Sequence, residues 1–236
     1  APHDSVERFE GLGVKVLKGM GYFIDKKTVR VNEHIIQAKR FMIATGSMPF
    51  VPPIPGIKDV TYYTNENIFH LKQKPEHLII IGGGPIGCEL AQAFAYLKVP
   101  VTIVQKSQLL PRDEPDLVDH LRQKFHELNI YVIENADVLG VLAVEAGVQL
   151  QIKQNEKQML LEGSHLLVAT GRQANISDLK LSAAKVECHA TGIQTDSFLR
   201  TSNKRVYALG DVLGHHQFTH VASYQAGVIV KNLLFR

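Results

Sequence analysis

Three glycines at fixed spacing, Gly82, Gly84 and Gly87, carry the clearest chemistry in this chain. They lie in Ile79-Ile80-Ile81-Gly82-Gly83-Gly84-Pro85-Ile86-Gly87-Cys88-Glu89, where an apolar, β-rich run ends in a Gly-rich turn. The turn opens an amphipathic helix over 86–97, and a second apolar run, Val101-Thr102-Ile103-Val104, follows. Strand, turn, helix, strand is the context in which G-x-G-x-x-G binds a dinucleotide. Gly82 permits the tight turn, Gly84 lets the backbone approach a pyrophosphate, and Gly87 lets the helix pack closely on the strand. Gly83, Pro85, Ile86, Cys88 and Glu89 complete the turn and the first helical turn, whose N–H groups and positive end face the phosphates.

The residue that ends the second strand of such a unit meets the adenosine ribose, and an acidic side chain there selects NAD. Here that place reads Gln105-Lys106, with Arg112 a few residues on. A neutral Gln removes the repulsion a 2′-phosphate would meet, and the two cations supply charge, Arg112 with a planar fork and Lys106 as a point charge. The pair reads either as two solvated surface cations or as a preference for NADPH over NADH. Asp211 follows another apolar strand and a Gly, where a carboxylate either caps a turn or accepts hydrogen bonds from sugar or ribityl hydroxyls. Gln217-Phe218-Thr219-His220 precedes a final helix, whose N-terminus suits negative charge on a ring or phosphate. Cys88 sits early in the fingerprint helix and reads as a small hydrophobe more readily than as a reactive thiol. Cys188 is the only other cysteine, and no metal-type spacing is present.

These residues need elements to position them. From Gly13 the pattern is β: Val14-Lys15-Val16-Leu17, Gly21-Tyr22-Phe23-Ile24, Thr28-Val29-Arg30-Val31 and His34-Ile35-Ile36 are short runs between turn residues, a meander. Residues 1–12 read as the end of a helix or a loop. Arg40 to Ser47 is a strand ending Ala44-Thr45-Gly46-Ser47, and Pro49, Pro52, Pro53 and Pro55 then mark a domain boundary. A helix is expected over 115–128, with Leu117, Val118, Leu121, Phe125 and Leu128 at helical spacing and Pro115 in its first turn. A strand at 130–133 and an antiparallel excursion over 138–161 follow. The next strand ends Ala169-Thr170-Gly171-Arg172 and so repeats the earlier Ala-Thr-Gly ending. After two short β runs and the strand before Asp211, a helix over 221–234 closes the chain, with Val221, Val228, Val230 and Leu233 on its apolar face.

Length and composition bound the rest. At 236 residues the chain suits one large or two modest domains, and its 45% hydrophobic content supports a core. A net charge of +3 without a dense basic stripe argues against nucleic acid. No apolar run is long enough for a membrane-spanning helix. Ala1-Pro2-His3-Asp4 is not a signal peptide and lacks an initiating Met, so the chain reads as an excised piece. The sparse cysteines suit a reducing, cytoplasmic compartment.

In order and type, the Ala44–Ser47 turn, the Gly82–Glu89 fingerprint, Ala169-Thr170-Gly171-Arg172, and Thr201-Ser202 through Tyr207-Ala208-Leu209-Gly210-Asp211-Val212 resemble the pyridine nucleotide-disulfide oxidoreductases. Within that family the likeness is to the mercuric reductase and dihydrolipoamide dehydrogenase-like flavoenzymes, and it covers nearly the whole chain. The resemblance implies an α/β architecture. A Rossmann-like NAD(P)-binding domain, 49–171, is inserted between 1–48 and 172–236, the parts of an incomplete FAD-binding domain with a β-meander. It implies that Thr45, Gly46, Ser47 and Asp211 contact FAD and that Gln217, Phe218, Thr219 and His220 lie beside the flavin ring. It further implies that Gly82 to Glu89, Gln105, Lys106, Arg112 and Gly171 form the NAD(P)H site, with Glu89 close to the nicotinamide. Family members also carry an earlier FAD fingerprint, a redox cysteine pair and a C-terminal dimerisation domain with a catalytic His-Glu pair; none is seen here. The chain thus reads as the central part of a homodimeric parent that moves a hydride from NAD(P)H to FAD and on to a disulfide, metal ion or similar acceptor, the piece itself being inactive. A nucleotide-sensing module without redox chemistry, and a relative using oxygen or a quinone, are the competing readings.

Overall fold

The computed structural model describes residues 5–235; Ala1-Pro2-His3-Asp4 and Arg236 lie outside it. The chain forms two compact units, an inner one of Pro49–Arg172 and an outer one that joins the segment up to Met48 with that from Gln173 onward. Arg172 therefore goes with the inner unit. In chain order the elements are helix α1 (Val6–Gly11), strands β1 (Gly21–Asp25), β2 (Thr28–Val31), β3 (His34–Gln37), β4 (Phe41–Ile43) and β5 (Ser47–Pro49). The inner unit continues with β6 (Leu78–Ile81), α2 (Pro85–Tyr96), β7 (Val101–Val104), α3 (Pro115–Glu127), β8 (Ile130–Ile133), β9 (Ala136–Val144), β10 (Gly147–Gln154), β11 (Lys157–Gly163) and β12 (His165–Val168). Then come β13 (Arg172–Ala174), β14 (Cys188–His189), β15 (Gly192–Ile193), β16 (Val206–Ala208) and α4 (Thr219–Leu234).

The core of the inner unit is a parallel sheet in the order β12-β6-β7-β8. Its central strand β6 is an unbroken apolar run, Leu78-Ile79-Ile80-Ile81, because both of its faces are covered. Successive side chains point to opposite faces. Leu78 and Ile80 pack with Cys88, Ala91 and Ala95 of α2 and Phe125 of α3. Ile79 and Ile81 pack with Val141, Val148, Leu150 and Ile152 of the antiparallel sheet β11-β10-β9. Ile79, Ile80, Leu150 and Ile152 are fully buried, and each such side chain contributes about 1.5–3 kcal/mol. In α3 the buried stripe runs through Val118, Leu121, Phe125 and Leu128. Leu117, expected on it, is 66% exposed, one position off the stripe.

The outer unit carries the antiparallel meander β1-β2-β3 and the parallel pair β16-β4. Val14-Lys15-Val16-Leu17, expected as a further meander strand, is not one. The Val14 N–H donates to Phe9 O at 3.0 Å, a turn bond after α1, and Asn32 Nδ2 donates to the following Lys18 O at 2.9 Å; neither is a ladder bond. Phe23 meets Phe41 edge to face at 5.4 Å. α4 buries Ile229 completely, with Gln225, Val228 and Leu233 on the same face. Val230, expected there, is 48% exposed because the helical stripe passes through its neighbour Ile229.

Candidate dinucleotide-binding site

The chain runs outward from β6 to β7 to β8 and returns to β12 on the other side of β6. That reversal leaves a crevice beyond the C-terminal ends of β12 and β6, the place where open α/β sheets bind ligands. The Gly-rich turn leaves β6 there, and the Ala169-Thr170-Gly171 turn leaves β12 there. Gly82 has φ +111, and a Cβ on it would stand 2.3 Å from Ala169 O. A Cβ on Gly87 would stand 2.0 Å from Gly82 O, so this glycine is what lets α2 begin against its own turn. Gly84 is different: a Cβ would meet nothing within 4 Å, and the same is true at Gly171.

α2 is a 12-residue helix with Gly84 as N-cap and no capping side chain. Pro85 has no N–H, and the Cys88 N–H donates to Gly84 O at 3.0 Å. Among the described residues, the N–H groups of Ile86 and Gly87 have no backbone acceptor outside the helix. Unsatisfied N–H groups at a positive helix end, beside bare backbone at Gly84, suit a pyrophosphate. Cys88 takes no part in such contact. Its side chain is buried, Sγ donates to Gly83 O at 3.6 Å, and burial, with Asp113 and Glu89 adding to it, pushes the thiol up to about 12. Glu89 is exposed on the outer side of the helix.

The loop after β7 is bonded to this turn. Gln105 Oε1 accepts from the Gly83 N–H at 2.8 Å, and the Leu110 N–H donates to Gly83 O at 2.9 Å. Lys106 is exposed and pairs with Asp137 at 3.2 Å. Exposed pairs of this kind are worth about 0–1 kcal/mol, so a phosphate can compete for Lys106. Arg112 is exposed. Sequence reasoning missed the strut under this loop. Glu134, just past β8, accepts from the Leu109 N–H and from Arg122 Nη2 at 2.6 Å, and this hydrogen bond raises the Arg122 pKa. No local pattern announces a bond between a loop and a residue one strand away.

The outer unit gathers a second set of residues around a cleft of about 290 Å³ lined by Ala44, Gly46, Gly210, Asp211, Gln217 and Thr219, among others. Ser47 Oγ donates to Asp211 Oδ2 at 2.7 Å across 164 positions of sequence. Thr45 and Gly46 are clamped by Asn175: Thr45 Oγ1 donates to Asn175 O at 2.9 Å, Asn175 Nδ2 to Thr45 O at 2.9 Å, and the Asn175 N–H to Gly46 O at 3.0 Å. Asn175 Oδ1 is buried without a hydrogen-bond partner among the described residues. Gln225 Oε1 accepts from the Gly210 N–H at 2.7 Å and fixes the turn that carries Asp211. A polar residue on the apolar stripe of α4 is the signal that could have found it. Phe218 and His220 are exposed and stack at 5.5 Å. The Asp211 carboxylate and the start of α4 both border this cleft.

Among the described residues no three His, Cys, Asp or Glu side chains are grouped to hold a metal ion. No described helix is long and apolar enough to cross a membrane.

The sequence profile of the "Pyridine nucleotide-disulphide oxidoreductase" family matches residues 3–226. A mercuric reductase of Staphylococcus aureus is 36% identical over 231 residues, which is 97% of this chain and 42% of the reductase. A dihydrolipoyl dehydrogenase of Chlamydia trachomatis is 32% identical over 227 residues, 93% of this chain and 48% of that protein. Among solved structures, the HOCl-induced flavoprotein disulfide reductase RclA from Escherichia coli superimposes with a TM-score of 0.88 at 30% identity, covering 97% of this chain and 53% of that one. The chain therefore spans about half the length, or less, of the relatives it matches.

Proposed function

Because this chain belongs to the pyridine nucleotide-disulphide oxidoreductase family, we propose that its inner unit binds NADPH in preference to NADH and its outer unit holds the flavin end of FAD. The protein to which the chain contributes then moves a hydride from NADPH to FAD and passes electrons to an acceptor of the disulfide or metal-ion class. The single observation that carries the nucleotide assignment is the contrast within the Gly-rich turn. Gly82, Gly83 and Gly87 are packed against neighbours under 3.0 Å from an added Cβ, whereas Gly84 faces open space beside the start of α2. A turn held closed on three sides and open on one is shaped for a ligand.

When bound, FAD supplies the redox chemistry. The chain's own residues bind and orient. Ile86 and Gly87 N–H groups meet the pyrophosphate, Lys106 and Arg112 meet a 2′-phosphate, and Asp211 accepts from a ribityl hydroxyl while Ser47 and Gln225 hold its turn. Cys88, buried and with its pKa pushed up to about 12, is not the thiol of this reaction.

The test is a calorimetric titration of the chain with NADPH and with NADH at low salt, repeated for Lys106→Met with Arg112→Met. The reading expects tighter NADPH binding that falls about tenfold or more in the double variant while NADH is little changed. Equal NADPH/NADH ratios in wild type and variant would remove the cofactor preference.

A further inference from the structure

Gln105 stands where dinucleotide folds place the side chain that meets the ribose, yet every hydrogen-bonding group of its amide is turned to the protein. Oε1 accepts from the Gly83 N–H at 2.8 Å. Nε2 donates to Ser107 Oγ at 2.9 Å and to Gln108 O at 3.2 Å. The reverse orientation would set an amide NH2 against the Gly83 N–H and a carbonyl against Gln108 O, so the network admits one orientation. The other backbone group of Gly83 is held from the same loop, by the Leu110 N–H at 2.9 Å. Leu110 has φ +44, a left-handed conformation that a branched residue keeps only where its surroundings impose it. A Cβ on Gly83 would stand 2.8 Å from Leu109 Cδ1 and 3.2 Å from Gln105 Cβ, so the loop lies directly on the turn.

We propose that Gln105 is a positioning residue that clasps the Gly-rich turn in its binding shape through Gly83. The ribose substituent is left to be read by Lys106 and Arg112 beyond it. The inference rests on the nucleotide-binding reading above and extends it. It separates two roles that one acidic side chain at this position would combine. Loss of the clasp weakens every dinucleotide alike, because the pyrophosphate contact is common to all, and leaves the choice between them unchanged.

The experiment has two arms on the 236-residue chain. Amide hydrogen exchange in the absence of nucleotide compares wild type, Gln105→Met, which keeps the stem and loses the amide, and Gln105→Glu, which keeps an acceptor for Gly83. Gly83 should exchange about 3- to 10-fold faster in the Met variant, the worth of one hydrogen bond, and near the wild-type rate in the Glu variant. Unchanged Gly83 exchange in the Met variant would overturn the clasp. Calorimetry with NADPH and NADH then compares wild type and Gln105→Met. Both affinities should fall by the same factor, about 3- to 10-fold. A shift in their ratio would show that Gln105 reads the ribose, and no change in either affinity would show that the turn keeps its shape without it; both overturn the proposal. If wild type binds neither nucleotide, the binding reading fails by itself, and the exchange arm still decides the clasp.

Discussion

Alanine at Gly84 and alanine at Gly87 should separate binding from folding. Gly84 has φ −81 and ψ −177, backbone that any residue adopts, and an added methyl meets nothing within 4 Å. Alanine is a poorer N-cap than glycine by about 0.5–1 kcal/mol. Its lower freedom in the unfolded chain offsets about 0.4–1 kcal/mol. The terms nearly cancel, so Gly84→Ala should unfold in urea within about 0.5 kcal/mol of wild type. On the proposed reading the pyrophosphate lies in that open space, and the methyl would intrude on it. Overpacking costs of about 1–3 kcal/mol translate to a loss of about 5- to 150-fold in NADPH affinity. At Gly87 the methyl would stand 2.0 Å from Gly82 O and 3.1 Å from its carbonyl carbon. These are backbone atoms, so the start of α2 must shift, at about 3 kcal/mol or more. Urea unfolding followed by circular dichroism, with calorimetry on the proteins that fold, decides the matter. Wild-type NADPH affinity in Gly84→Ala, or wild-type stability in Gly87→Ala, would refute the reasoning.

Two further outcomes follow from burial. Cys188 is exposed, whereas Cys88 is buried with its pKa pushed up to about 12, so at about pH 8 the Cys88 thiolate fraction is about 10⁻⁴. A small disulfide reagent should label one thiol in the native chain and the second only on unfolding; two fast equivalents would contradict the packing of α2 on β6. Burial also lowers the pKa of His165 below its ordinary 6.5. The neutral ring is then favoured in the native state, the unfolded chain binds more protons, and the His165 contribution is complete above about pH 6.5 and lost as pH falls toward the folded value. The drop in urea midpoint between about pH 7.5 and pH 5.5 should be smaller in His165→Gln, and an equal drop would contradict it.

What was legible in the sequence was local. The fingerprint announced itself because glycine spacing, an apolar strand and a helix start are adjacent in the chain, and β6, α2 and β7 fall within a residue or two of expectation. Pro115 likewise marked the start of α3. Illegible were the bonds made by long-range juxtaposition: Ser47 to Asp211, Asn175 to Thr45, Gln225 to Gly210, and Glu134 to Leu109 and Arg122. The place of Gln105 is legible in the sequence, but its direction depends on Gly83, 22 positions earlier. Val14 to Leu17 has strand chemistry but pairs with no strand among the described residues. Leu117 and Val230 fall outside the buried stripes because apolar residues stand on both sides of each stripe, and only packing decides which of two neighbours, Leu117 or Val118, Ile229 or Val230, turns inward.

The central claim is that the turn after β6 and the loop after β7 form one pyridine-nucleotide site. Amide hydrogen exchange of the wild-type chain, with and without saturating NADPH, tests it most directly. The account predicts new protection concentrated at Gly84–Gly87 and across Lys106–Arg112. Binding that leaves both segments unprotected, or protection confined to other parts of the chain, would contradict it.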